Sequence, residues 1–228
     1  MQVNCAMVFA AGLGTRMRPL TNTMPKPLIE VSGKPLIDYT LALLDGVSKV
    51  VVNTHYCAEQ LETHLDRRDV ICIREKQKLL ETGGGLKNAL PILGCGPILT
   101  LNSDAIFIGQ NPVTKLREAW DPLRMDALLT LIPMKQTVGY GGVGDFFLDN
   151  GRIERRGMRD EAPFVYGGAQ IIKTKLLADI QKAAFSLNII WDQMIAGGRA
   201  FGLPHDGRWV DVGRPEGIAV AEKVLADV

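Results

Sequence analysis

Short, almost uninterrupted apolar runs rich in β-branched residues recur along the first hundred residues, each followed by a longer segment with helical spacing. A chain that repeats this alternation is confined to α/β folds with a largely parallel sheet, because strands covered on both faces have no polar side to show. Val3 to Phe9, Lys49 to Asn53, Val70 to Arg74 and Pro97 to Leu101 read as the first four strands. Helices are expected over Pro35 to Leu44, Ala58 to Asp66 and Gly84 to Leu90, the first opening on a proline whose missing N–H costs nothing there. After Asp104 the pattern changes. Pro112 to Trp120 reads as a helix and Ala127 to Met134 as a strand, and Gly144 to Leu148 with Arg152 to Arg155 reads as a hairpin turning at Asn150-Gly151. Strands at Phe164 to Ile172 and Phe201 to Pro204 follow, with helices at Lys175 to Ala184, Ile189 to Ala196 and Pro215 to Ala226. A parallel front half, about residues 1–110, thus runs without a linker into a mixed-sheet back half, about residues 111–228, and one domain is expected.

Composition narrows the function classes. The chain of 228 residues carries 26 Lys and Arg against 25 Asp and Glu, with no block of like charge, which argues against a nucleic-acid partner. No stretch approaches the roughly 18 uninterrupted apolar residues of a spanning helix, so no membrane is expected. The run Cys5 to Ala11 has no Lys or Arg before it and breaks at Gly12 and Gly14, unlike a secretory signal, which places the expected protein in the cytoplasm. Cys5, Cys57, Cys72 and Cys95 form no C-x-x-C pair, and His55, His64 and His205 are scattered; neither a disulfide framework nor a transition-metal site follows.

The densest chemical signal is Ala10-Ala11-Gly12-Leu13-Gly14-Thr15-Arg16-Met17-Arg18-Pro19-Leu20, directly after the first strand. A glycine-rich turn there brings backbone N–H groups close to a polyphosphate, and Arg16 and Arg18 neutralise its charge. The Walker pattern fails because Gly33-Lys34 is followed by Pro35, and the dinucleotide fingerprint fails because Met17 stands where a third glycine belongs. Lys26, clamped between Pro25 and Pro27, has little backbone freedom, which pre-positions its ammonium for charge on a transferring phosphoryl group.

With Pro25-Lys26-Pro27-Leu28, the loop resembles the N-terminal signature of the sugar-phosphate nucleotidyltransferases, and the match is long and ungapped. The resemblance implies a Rossmann-like α/β/α sandwich of the nucleotide-diphospho-sugar transferase type, with a mixed central sheet. It implies that Ala11, Gly12, Leu13, Gly14, Thr15 and Arg16 cradle a nucleoside triphosphate, and that Lys26 and Arg16 serve the reacting phosphates. Glu81-Thr82-Gly83-Gly84-Gly85 lies where the family binds the nucleobase, which gives roles to Thr82 and Gly83; read alone, the glycines are a flexible turn. Asp104 in Asn102-Ser103-Asp104 and Asp211 in Trp209-Val210-Asp211-Val212-Gly213-Arg214-Pro215 correspond to the family's magnesium ligands, and helix capping is the plain alternative for both. Ser103 and Arg214 depart from the usual residues.

Between Gly109 and Ile189 the likeness weakens, and the Glu-Lys-Pro tripeptide of larger members is missing. The sugar phosphate is expected near Asn102, Asp145, Glu154 and Gly168. A short chain, Glu-Thr-Gly-Gly-Gly and His205-x-Gly207-x-Trp209 look most like the N-acetylmuramate-1-phosphate uridylyltransferases of cell-wall sugar salvage. Arg152, Arg155, Arg156 and Arg159 offer positive charge for an acidic amino sugar, or simply face water. Implied, then, are magnesium, a nucleoside triphosphate and a sugar 1-phosphate, with oligomeric state unspecified. Guanylyl- or cytidylyltransferase activity and a non-catalytic nucleotide-binding module remain alternatives.

Overall fold

The computed structural model describes residues 3–227. Its front half runs β1 (Cys5–Phe9), β2 (Glu30–Val31), β3 (Lys34–Pro35), α1 (Leu36–Ala42), β4 (Lys49–Thr54), α2 (Ala58–Leu65), β5 (Ile71–Arg74), α3 (Glu81–Leu93), β6 (Pro97–Asn102), β7 (Ala105–Phe107) and α4 (Pro112–Ala119). The back half adds β8 (Ala127–Pro133), β9 (Thr137–Val138), β10 (Phe146–Asp149), β11 (Arg152–Arg155), β12 (Phe164–Lys173), α5 (Asn188–Ala196), β13 (Ala200–Pro204), β14 (Trp209–Asp211) and α6 (Glu216–Ala226).

Nine strands make one sheet in the order β10-β11-β13-β8-β12-β6-β1-β4-β5. Strands β6, β1, β4 and β5 are parallel, while β12 lies antiparallel between β6 and β8 and joins the two halves. The sheet is mixed, as expected. Alternation along the strands sets the layers: Met7 and Val51 face Leu86 of α3 and Ile190 of α5, whereas Ala6, Val8, Val50 and Val52 face Ile37 of α1, Leu61 of α2 and Leu116 of α4. Burying both faces removes a nearly continuous apolar surface from water, which is the dominant favourable term in folding. The one polar side chain in the middle of β12, Gln170, is fully satisfied by Thr100 at 3.0 Å and the Trp191 indole N–H at 2.8 Å.

A second, three-stranded sheet orders β7-β14-β9. Its strands are two or three residues long, too short to show a period, and none was expected from the sequence. Behind it, Met17, Leu36, Ile106, Val210 and Val212 pack with Ala221 and Val224 of α6 in a separate cluster. At the hairpin, Asn150 and Gly151 both take positive φ, 47° and 79°, which the Asn-Gly pair accommodates.

One expected helix is corrected. Lys175 to Ala184 is not helical throughout; only a 3₁₀ turn at Lys175–Asp179 forms, and Ile180 is extended. Two contacts draw the chain off the helical path. The Ile180 carbonyl accepts from Lys87 Nζ at 2.6 Å, and Phe185 joins the start of α3: its N–H donates to Leu80, and its carbonyl accepts from Gly83 and Gly84.

Candidate active site

Strands β4 and β5 extend the sheet on one side of β1 and β6 on the other, so the chain reverses direction of winding at β1, and the carboxyl ends there form the crevice where open α/β sheets bind ligands. A cavity of about 310 Å³ opens at that point, at the small end of ligand pockets. Of the residues singled out above, Ala11, Gly12, Gly14, Lys26, Thr82, Asn102 and Asp104 line it.

The loop after β1 is built for close approach. Gly12 has nothing within 4 Å of where a Cβ would stand. Gly14 has φ +61°, and a Cβ there would meet Thr21 at 2.9 Å and Lys26 at 3.0 Å, so glycine is required twice over. Its carbonyl is held by the Thr21 hydroxyl at 2.8 Å and the Met17 N–H at 2.8 Å. Met17 itself is fully buried, so the residue that spoils the dinucleotide fingerprint anchors the end of the loop. Leu13, Thr15 and Arg16 are exposed on this loop.

Lys26 stands in a one-turn 3₁₀ segment between its prolines, and its ammonium lies 2.8 Å from Asp104 Oδ2. The second carboxylate arrives through the small sheet. Asp211 is paired with Ala105 in the β7–β14 ladder, and Val212 N–H donates to the Asp104 carbonyl at 3.2 Å. Two residues 107 positions apart in sequence are thereby backbone neighbours. Gly213 leaves room for this carboxylate, since a Cβ there would come within 2.9 Å of Asp211 Oδ1. Burial pushes the Asp211 carboxyl above its usual range and the Asp104 charge pushes it further, while Lys26 and Arg16 pull it back. Carboxylates so close that one raises the other's proton affinity suit a hard divalent cation such as magnesium, which completes its shell with phosphate oxygens and water. Among the described residues no group of three or more His, Cys, Asp or Glu is placed to hold a metal by protein ligands alone.

The remaining expectations divide. Gly168, at φ +88°, packs against Asn102, where a Cβ would sit 3.1 Å from the Asn102 Cβ, and a register shift between Tyr166 and Gln170 puts a bulge beside the crevice. The Asp145 carboxylate accepts from Tyr166 N–H at 2.9 Å, and Glu154 is in an exposed ion pair with Arg159 at 2.7 Å; neither lines the cavity. Thr82 lines it and also accepts from Leu187 N–H at 3.0 Å. The space where Gly83 would carry a side chain is filled by Phe185, with ring atoms 2.4 Å from a built Cβ, so this glycine serves close packing and its bare face is turned from the cavity.

Two polar lining residues escaped the sequence reading. Asn53 is next to last in β4 and bridges the site: its Oδ1 accepts from Ala10 N–H at 2.8 Å, and its Nδ2 donates to Glu75 Oε1 at 2.7 Å. Glu75, only 4% exposed, holds the start of α3 through Leu80 N–H at 2.8 Å. A polar side chain near the end of an otherwise Val-rich parallel strand was the available signal for Asn53.

Residues 6–137 match the MobA-like NTP transferase domain. The chain is 42% identical to the N-acetylmuramate alpha-1-phosphate uridylyltransferase of Caulobacter vibrioides over 97% of both chains. It is 31% identical to the enzyme of the same name from Neisseria meningitidis serogroup B over 91% of this chain and 92% of that one. The solved structure of HddC from Yersinia pseudotuberculosis complexed with GMP-PN shares the fold, with a TM-score of 0.77 at 21% identity over 99% of this chain and all of that one. The family match over more than half of the chain and the two relatives of matching length agree, and the chain belongs to the sugar-phosphate nucleotidyltransferases, with a MobA-like NTP transferase domain.

Proposed function

We propose that this protein condenses UTP with N-acetylmuramate 1-phosphate to give the UDP-sugar and pyrophosphate. The observation that carries the reaction class is the meeting of Lys26, Asp104 and Asp211 beneath the glycine loop at the carboxyl edge of β1 and β6. Identity of 42% over nearly the whole of a uridylyltransferase of that name supports the substrate pair. In this reading a phosphate oxygen of the sugar attacks the α-phosphorus of UTP in line; the new P–O bond forms as the bond to pyrophosphate breaks, and pyrophosphate leaves with the electron pair. Positioning and charge neutralisation supply most of the rate, so no protein nucleophile is needed.

In this reading each residue has a part. The loop amides of Ala11 to Thr15 and the exposed Arg16 receive the β- and γ-phosphates. Lys26, preset by its prolines, turns from Asp104 to the transferring phosphate. Asp104 and Asp211 would hold magnesium, which would supply positive charge to the phosphate oxygens. Asn102 and Gly168 shape the acceptor side of the crevice. Thr82 and Glu81 border the base. Free thiols at Cys5, Cys57, Cys72 and Cys95 fit a reducing, cytoplasmic setting, and no helix among the described residues is long and apolar enough to cross a membrane.

The test is stoichiometry. Protein incubated with UTP, magnesium and N-acetylmuramate 1-phosphate is expected to release one pyrophosphate for each UDP-sugar formed. Triphosphate binding without pyrophosphate release would identify a nucleotide-binding module instead.

A further inference from the structure

The two polar residues that line the crevice outside the motifs belong to one directed chain of hydrogen bonds. Ala10, at the start of the glycine loop, donates its N–H to Asn53 Oδ1 at 2.8 Å, Asn53 Nδ2 donates to Glu75 Oε1 at 2.7 Å, and Glu75 Oε2 accepts from Leu80 N–H at 2.8 Å. Asn53 and Glu75 are each 4% exposed, and both line the cavity. The root of the Glu75 side chain is fixed directly after β5: its N–H donates to the Thr54 carbonyl at 2.8 Å, and its carbonyl lies 2.6 Å from His55 Nδ1. Gly85 of α3 lies bare against the pair, since a Cβ there would come 3.0 Å from Asn53 Nδ2 and 3.1 Å from Glu75 Oε1.

Both ends of this chain are backbone donors, which dictates its direction. The Asn53 amide must turn its oxygen to Ala10 and its nitrogen to Glu75, and the side chain at position 75 must accept from both sides, as a carboxylate does and a carboxamide does not. A buried donor facing another donor loses its bond and stays desolvated. Beyond Leu80 the backbone reaches Glu81, whose φ of +59° is rare for a residue with a side chain, and then Thr82, which lines the cavity. Such a turn persists where its surroundings hold it. The Glu75 carboxylate supplies that hold from the side of β1, while residues 76–78, which lead into the turn along the chain, are exposed.

We propose that Asn53 and Glu75 are a positioning pair that sets the distance between the glycine loop and the Glu81–Thr82 turn, so that a nucleoside triphosphate meets its phosphate cradle and its base border across one preformed gap. Their polar atoms are engaged by the chain itself, so they act through the two elements they tie. Fixing the gap beforehand spares the nucleotide the ordering of the turn, and the benefit falls on nucleotide affinity. The inference rests on the reading of the crevice as a UTP site.

An exchange of the two groups tests it. Glu75→Gln leaves an amide donor facing either Asn53 or Leu80, and Asn53→Asp sets two carboxylates against each other. In the double variant the carboxylate stands at position 53 and accepts from Ala10 and from the amide at position 75, whose oxygen accepts from Leu80, so every bond is restored. Each single variant is expected to weaken UTP binding by roughly 10- to 100-fold in Kd, as for one buried polar group left without its partner. The double variant is expected to return to within about threefold of wild type, because the two effects are coupled and do not add. Inorganic triphosphate, which reaches the loop but carries no base, is expected to bind wild type and every variant within about twofold. Should either single variant fail to fold, the other carries the same comparison with the double variant. Unchanged UTP affinity in the single variants, equal weakening of UTP and inorganic triphosphate, or additive losses in the double variant overturns the proposal. Absence of UTP binding by wild type overturns the functional reading and this inference with it.

Discussion

The Lys26 ammonium already has an anionic partner in Asp104, so a triphosphate bound as proposed has to compete for it, and a divalent ion held by Asp104 would favour the exchange. In that reading the exchange would place one preorganised positive charge at the reacting phosphate without moving backbone, because Pro25 and Pro27 flank the residue. Lys26→Ala is expected to lower kcat by roughly 100- to 1000-fold with the fold intact, as measured by circular dichroism and steady-state rates. Turnover near that of wild type would remove Lys26 from the mechanism. Asp211 supports a prediction of opposite sign for stability. Its carboxyl has a raised proton affinity in the folded protein, so ionisation opposes folding; that cost is full above the folded-state pKa and vanishes as pH falls below the unfolded value. Asp211→Asn is therefore expected to raise Tm at neutral pH without divalent ions, with the gain shrinking on acidification, while raising the magnesium needed for activity. Asp104→Asn should raise that requirement too, and the double variant should be little worse than the poorer single one, since residues serving one ion act as a unit. A Tm gain for Asp211→Asn that is constant from neutral to acid pH would contradict the account of its burial.

At the scale of elements, α3 shows why a glycine run reads ambiguously. In an open helix Gly→Ala stabilises by about 1 kcal/mol. Here a Cβ on Gly84 would stand 2.2 Å from the Ala183 carbonyl oxygen, which is backbone and cannot swing away. Gly84→Ala is accordingly expected to destabilise by about 1–3 kcal/mol, read as a fall in Tm, whereas a rise would mean that the segment before Phe185 yields freely. The same packing explains the failed helix at Lys175 to Ala184: its apolar spacing was real, but a long-range partner outbid the local preference. Strands with several consecutive apolar residues were legible because burial on both faces leaves that trace. Strands β7, β9 and β14 were not, and they bring Asp104 to Asp211. Motif and cavity residues at the ends of β1 and β6 were legible from chemistry and position, whereas Asn53 left only its polarity in a Val-rich strand as a trace, and no local pattern encodes the hydrogen bond that ties Glu75 to it. Gly207 belongs to this scale as well, since a Cβ there would lie 1.7 Å from the Ile108 carbonyl oxygen. Gly207→Ala is expected to displace β14 from β7 and to raise the magnesium requirement; unchanged magnesium dependence would uncouple the small sheet from the carboxylate pair.

For the whole molecule, one continuous sheet joins the two sides of the crevice: in the proposed reading the triphosphate side lies on β1, β4 and β6 and the acceptor side on β12, which is bonded directly to β6. Both substrates would then approach one line of strand ends, with the reacting phosphates meeting near Lys26. The substrate pair is the claim on which the rest turns. It is tested most directly by steady-state pyrophosphate release with each of UTP, GTP, CTP and ATP against the 1-phosphates of N-acetylmuramate, N-acetylglucosamine, glucose and mannose. The account predicts the highest kcat/KM for UTP with N-acetylmuramate 1-phosphate; a higher value for GTP with mannose 1-phosphate, or no release with any pair, would contradict it.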